Sequence, residues 1–232
     1  MAATKITTPR CTVAGYTALV RPALNFNKDG EEYKITIAME GEAAVKFQAE
    51  MEALRDAYLE DYIEGLPQNK QAIARKTIKV AEVGKPELDE DTAEETGRIL
   101  FTFKQTALIT GVSRKTGKPY EIKKKVALFD AKGAAIKGNV RVGSGSVVKV
   151  SFEPNPYYTA KDKEVGISFN RLQGVQILKL VEFEGGQASA SDMGFGEEDV
   201  DPEDAFYADA YVADEGADLG DEGPGGEDLT DF

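Results

Sequence analysis

Between Arg98 and Lys179 the 232-residue chain carries 16 basic and 5 acidic residues, a local net charge of +11. The cations include Lys104, Arg114, Lys115, Lys118, Lys123, Lys124, Lys125, Arg141, Lys149, Lys161, Lys163 and Arg171. Tyr120, Phe152, Tyr157, Tyr158 and Phe169 are interleaved with them. Cations along a surface make a track for phosphates, because each neutralised phosphate releases condensed counterions. A flat ring accepts the face of any base, at about 1–3 kcal/mol per stacked base. Track and rings together are what sequence-tolerant binding of a single-stranded nucleic acid requires. Trp is absent, so stacking falls to Tyr, Phe and Arg.

Each piece also has a plainer reading. Lys123-Lys124-Lys125 taken alone reads as a solvated strand. Phe101, Phe103 and Phe152 share parity with core positions and are assigned to the core. Tyr157 and Tyr158 fall in a Pro-bounded loop beside basic residues, where exposed stacking and structural packing are equally open.

Catalytic chemistry is sparse. There is no His, which excludes Ser-His-Asp and Cys-His catalysis and His-ligated zinc. Cys11 is the only cysteine, so no intrachain disulfide or Cys-cluster metal site exists. Gly143-Ser144-Gly145-Ser146 lacks the Gly-Lys-Ser/Thr that would complete a phosphate loop, and reads as a turn. The acidic residues near the C-terminus do not follow calcium-loop spacing. No cofactor and no metal is expected. No uncharged apolar run approaches about 18 residues, and the first residues lack the apolar stretch of a secretory signal. The expectation is a soluble, non-enzymatic, intracellular protein.

Period-two alternation must position the cations. Residues 12–21 read as a strand, and 31–39 as a second, with Tyr33, Ile35, Ile37 and Met39 on one face and Lys34 and Thr36 on the other. A helical pattern follows over about 42–64, with Phe47, Met51, Leu54, Tyr58 and Tyr62 as its apolar stripe. Residues 71–83 fit helix or strand, and Pro86–Gly97 reads as an acidic loop. From Ile99 the period is two, through strands at 99–108, 120–129 and 147–152 and one or two strands over 165–183 broken near Gly174, with a loop expected at 154–163. Short strands, frequent turns and one long helix predict a mainly β domain, a small β-barrel closed or nearly so, over residues 1–185.

Residues 186–232 hold 16 acidic residues and no basic one. Gly, Ala, Ser, Asp and Glu dominate there, and such a segment cannot bury enough apolar surface to offset its ordering entropy. A disordered acidic tail is expected, able to compete with phosphates for the basic surface. Its last residue, Phe232, beside Asp228 and Asp231, suits an apolar anchor for a partner protein.

In this order, the following segments resemble the single-stranded DNA-binding proteins of T-seven-like and related tailed phages: Phe101-Thr102-Phe103-Lys104, Val126 to Gly133, Gly143 to Val150, Pro156-Tyr157, Val165 to Ser168, Val175 to Leu178 and the terminal Asp231-Phe232. The resemblance covers nearly the whole chain. It implies an OB-fold-like Greek-key β-barrel with one long added helix, single-stranded DNA binding in phage replication and recombination within the host cytoplasm, and a homodimer. It also implies a tail that contacts the phage DNA polymerase and helicase-primase. Position by position, it makes Tyr157 the stacking ring, sets Lys104 and Lys149 against the DNA backbone, and makes Phe232 with its acidic neighbours the partner contact. Relatives carry a further aromatic where this chain has Thr106, and a lysine where it has Ser151; Tyr158, Phe169 and Arg171 are the candidates to compensate. Lys123, Lys125 and Arg141 complete the expected nucleic-acid surface. Other classes share parts of this pattern: an RNA-binding protein on the same fold, a protein-only adaptor, or a metal-dependent nuclease.

Overall fold

The computed structural model describes residues 5–27, 29–89 and 91–182. The expected acidic tail, with Asp228, Asp231 and Phe232, lies outside the described residues.

The first strands are β1 (Ile6–Thr7), β2 (Cys11–Val13), β3 (Ala18–Leu24) and β4 (Glu31–Met39). The single strand expected over 12–21 is split into β2 and β3, and Gly15, at φ 70°, sits in the break. In β4 the alternation holds: Tyr33, Ile35, Ile37 and Met39 are buried. Two helices follow rather than one, α1 (Gly41–Glu64) and α2 (Gln68–Thr77), and then β5 (Lys79–Val80). The ambiguous stretch 71–83 is therefore helix first and strand second.

The buried stripe of α1 is Ala44, Phe47, Met51, Arg55 and Ile63, while Leu54 is exposed. Arg55 takes the expected place of Leu54 because its aliphatic stem covers apolar surface while its head finds partners. Its Nη1 donates to the Ala81 carbonyl at 2.7 Å and its Nε to Asp56 at 2.9 Å.

In place of the expected acidic loop, β6 (Lys85–Leu88) and β7 (Glu95–Thr106) form a hairpin. The Asp89 carboxylate builds its turn, accepting the Thr92 N–H at 2.9 Å, the Thr92 hydroxyl at 3.1 Å and the Asp91 N–H at 3.0 Å. The same bonds hold the Asp89 carboxyl below its ordinary pKa. Next come β8 (Leu108–Val112), β9 (Pro119–Lys123) and β10 (Ala127–Phe129). The strand expected over 120–129 divides, since β9 pairs with β8 and β10 departs to another sheet.

The body ends with β11 (Val147–Phe152), β12 (Asn155–Thr159), β13 (Glu164–Ser168) and β14 (Leu172–Lys179). The expected loop at 154–163 is largely strand, β12 pairing antiparallel with β13. Pro156 is compatible with this because β12 is the edge of its three-stranded sheet, β12-β13-β5, where a missing N–H breaks no ladder. Gly143–Ser146 is a structural turn: Ser146 Oγ donates to the Val181 carbonyl and accepts its N–H, both at 3.0 Å.

The main sheet runs β10-β14-β11-β2-β4-β7-β6, with β1 added to β11 and β3 to β4. It curls so that β7 approaches β14, yet among the described residues no ladder closes it. One bridge, Gln105 to Arg171, and the bond from the Lys104 N–H to the Phe169 carbonyl at 2.8 Å are the joins between β7 and the chain entering β14. The expected barrel is thus open along this seam, because residues 169–171 leave regular pairing as they cross from β13 to β14. Inside the curl, Phe47 of α1 meets Phe101 edge-on at 5.0 Å, and Phe103 meets Phe152 at 4.8 Å. Edge-to-face contact suits the ring quadrupole and adds to area burial. Cys11 lines the same core, its thiol donating to the Val148 carbonyl at 3.2 Å, and burial pushes its pKa up to about 11.

Candidate nucleic-acid interface

The antiparallel register of β4 and β7 sets the outer face. Lys34 stands directly opposite Lys104, Thr36 opposite Thr102, and Glu32 opposite Thr106. Like charges facing each other across a ladder are destabilising. Here Glu32 offsets the cost, its carboxylate 2.8 Å from Lys104 Nζ, while the Thr36 and Thr102 hydroxyls join at 3.0 Å. A paired lysine on an otherwise polar sheet face is a phosphate-sized concentration of charge. Lys34 is absent from the residues the sequence nominates. Its outward parity was readable, but its partner lies 70 residues away in the chain.

Lys104 also sits at the seam. The Phe169 carbonyl that receives its N–H is two residues before Arg171, whose guanidinium lies 3.8 Å from Glu153. The seam therefore gathers Lys104 and Arg171 from distant parts of the chain. Each cation is held by a carboxylate that is itself only 18% exposed. Lys149 projects from the same outer face on β11, opposite Gln176 of β14.

The ring of Tyr157 completes the arrangement. Tyr157 pairs with Gly166 across β12 and β13, and lies over it so closely that a Cβ there would be 2.5 Å from the Tyr157 hydroxyl and 2.6 Å from Cζ. The missing side chain lets the ring lie flat against backbone. Gly166 is three residues before Phe169, whose carbonyl receives the Lys104 N–H. Successive side chains of a strand point to opposite faces. Tyr158 takes the α1 face, where it stacks on Tyr62 at a centroid distance of 4.4 Å and an interplanar angle of 28°. Tyr157 therefore faces away from the helix. Both tyrosines are half-buried: Tyr158 spends one ring face on Tyr62 of α1, and Tyr157 lies against the Gly166 backbone.

Phe169 requires a correction. It is 8% exposed, its ring 5.1 Å from Phe103 and 5.4 Å from Phe152, so it belongs to the core and offers no free face to a base. Its carbonyl is turned to β7 and its side chain inward.

The family model described as "Single-stranded DNA-binding protein, Bacteriophage T7" matches residues 10–180. The chain belongs to that family. The crystal structure of gp2.5, a single-stranded DNA-binding protein encoded by bacteriophage T7, shares the fold with a TM-score of 0.58. The two are 19% identical over 81% of this chain and 98% of that one. The single-stranded DNA-binding protein of bacteriophage Enc34, in complex with single-stranded DNA, gives a TM-score of 0.48 at 11% identity, over 77% of this chain and 88% of that one. No curated protein matches.

In this member of the phage single-stranded DNA-binding family, the remaining nominated cations lie apart from the seam. Lys123 is on β9, outside the main sheet, its side chain 80% exposed and 3.5 Å from Glu121. A pair so exposed adds little stability. Lys125 is exposed in the segment between β9 and β10. Arg141 borders a separate cleft of about 310 Å³, lined by Tyr16, Val20, Arg21 and Val142, to which no seam residue contributes. Among the described residues no three acidic or thiol side chains converge to hold a metal ion. No helix there is long and apolar enough to cross a membrane.

Proposed function

We propose that the chain binds single-stranded DNA without regard to sequence, acting passively rather than as an enzyme. The phosphate backbone runs along Lys34, Lys104, Arg171 and Lys149 on the outer face, and one base stacks on Tyr157. The observation that carries this reading is the Tyr157 ring laid over Gly166, three residues from the seam that holds Lys104 and Arg171. Glu32 and Glu153 occupy two of the cations before DNA arrives, so binding exchanges a carboxylate for a phosphate at each. Membership of a phage family supports a role in replication and recombination of phage DNA in the infected host's cytoplasm, as a homodimer. The acidic residues 186–232 compete with DNA for the basic face. Asp228, Asp231 and Phe232 engage the phage polymerase and helicase-primase.

Lys149→Ala tests the backbone track. One phosphate contact on a single strand contributes roughly 0.7 to the slope of log affinity against log salt. Titrations of labelled oligo-dT at several salt concentrations are expected to give a slope smaller by about that amount. An unchanged slope places Lys149 off the DNA.

A further inference from the structure

Among the described residues the ribbon of β8 and β9 joins no other sheet, and every residue of β9 is exposed. Two strands alone are marginal in water, and an apolar face on them needs a reason. The register sets Ile109 opposite Ile122 and Gly111 opposite Tyr120, so these four share one face. Ile122 is 48% exposed and Tyr120 44%. The Tyr120 ring lies across Gly111, where a Cβ would be 2.7 Å from both its Cζ and its hydroxyl. This is the arrangement of Tyr157 over Gly166, repeated on a second hairpin.

The charge around the ring is one-sided. Residues 108–125 contain Arg114, Lys115, Lys118, Lys123, Lys124 and Lys125 against Glu121 alone. The ribbon also follows directly on β7: only Ala107 separates β7 from β8, and the Lys124 N–H returns to the Ala107 carbonyl at 2.8 Å. A strand leaving Lys104 along the end of β7 meets the base of the ribbon next.

We propose that the β8–β9 ribbon is a second single-stranded DNA contact, in which Tyr120 stacks one base and the surrounding cations take the flanking phosphates. It rests on the reading of the outer face above and lengthens the bound strand beyond Lys104. A flat ring supported on glycine, on a hairpin segment that carries six cations, complements an unpaired base on a polyanion. An acidic protein surface would satisfy the cations but leave the ring without its match.

The test uses the full-length protein and labelled oligo-dT of increasing length. Tyr120→Leu keeps an apolar cover over Gly111 and removes the flat ring, while Tyr120→Phe keeps the ring. All three proteins are expected to bind alike the short oligonucleotides that fill only the outer face. Beyond the length at which wild-type affinity steps up, Tyr120→Leu is expected to bind at least about fivefold more weakly, and Tyr120→Phe to match wild type. Photo-crosslinking of an iodouracil-containing oligonucleotide of that length is expected to label Tyr120. Wild-type affinity for Tyr120→Leu at every length overturns the ribbon contact and leaves the outer face standing, with a protein partner as the remaining occupant. An equal loss at every length also overturns it, by merging Tyr120 with the outer-face site. Failure of the wild-type protein to bind any length is a failure of the outer-face reading itself.

Discussion

Phe169→Ala is expected to lower the stability of the domain by about 3–5 kcal/mol, the cost of truncating a buried aromatic. The ring contacts Phe101, Phe103 and Phe152 at centroid distances of 6.2, 5.1 and 5.4 Å, so its removal opens a cavity where the aromatic cluster supports the seam. Urea unfolding monitored by circular dichroism reads the loss directly. Single-stranded DNA affinity, measured where the variant is still folded, is expected to stay near wild type. An unchanged unfolding midpoint with weakened binding would return Phe169 to the interface.

Tyr157→Ala is expected to have the opposite signature. Losing a stacked base costs about 1–3 kcal/mol, which is roughly 5- to 150-fold in affinity. Because the ring neutralises no phosphate, the salt slope is expected to hold while the whole line shifts to weaker binding. Tyr157→Phe should retain most of the affinity, since stacking needs the ring and not the hydroxyl. Neighbouring Tyr158 is a useful contrast, its ring being stacked on Tyr62 of α1. A Tyr157→Ala variant that binds oligo-dT as tightly as wild type removes this ring from the site.

The sequence disclosed what depends on local alternation. Tyr33 to Met39 and Val148 to Phe152 were readable because one face is apolar and the other polar, so parity alone assigns burial. It was silent wherever a distant partner decides. Phe169 reads as an aromatic among cations, and only its carbonyl's bond to Lys104 turns the ring inward. Tyr157 and Tyr158 read alike until pairing with β13 makes a strand of them and α1 claims one side. Pro154 and Pro156 suggested a loop, because an edge strand that tolerates proline is defined by its neighbours and not by its own residues. Arg55 displaced Leu54 from the helix stripe because the carbonyl of Ala81, 26 residues on, receives its guanidinium. The cations of the candidate site divide on the same principle. Lys104 and Arg171 converge only through the seam, and Lys34 joins them only through the register of β4 and β7.

The aromatic supports show the limits of a one-residue reading as well. Gly111 and Gly166 carry no signal of their own, being two among 23 glycines. Each gains meaning from the tyrosine across the ladder, whose ring fills the space a Cβ would occupy. Substituting either glycine would lift the ring from the backbone, so the site is built as much from the absent side chain as from the ring.

The central claim is that the outer face binds single-stranded DNA and that the acidic residues after Gly185 compete for it. A fluorescence titration of labelled oligo-dT, comparing the full-length protein with a chain ending at Gly185 at low and moderate salt, tests both parts. The predicted result is tighter binding by the shorter chain, with the difference shrinking as salt screens the 16 carboxylates it has lost. Absence of binding by both chains at low salt would contradict the account.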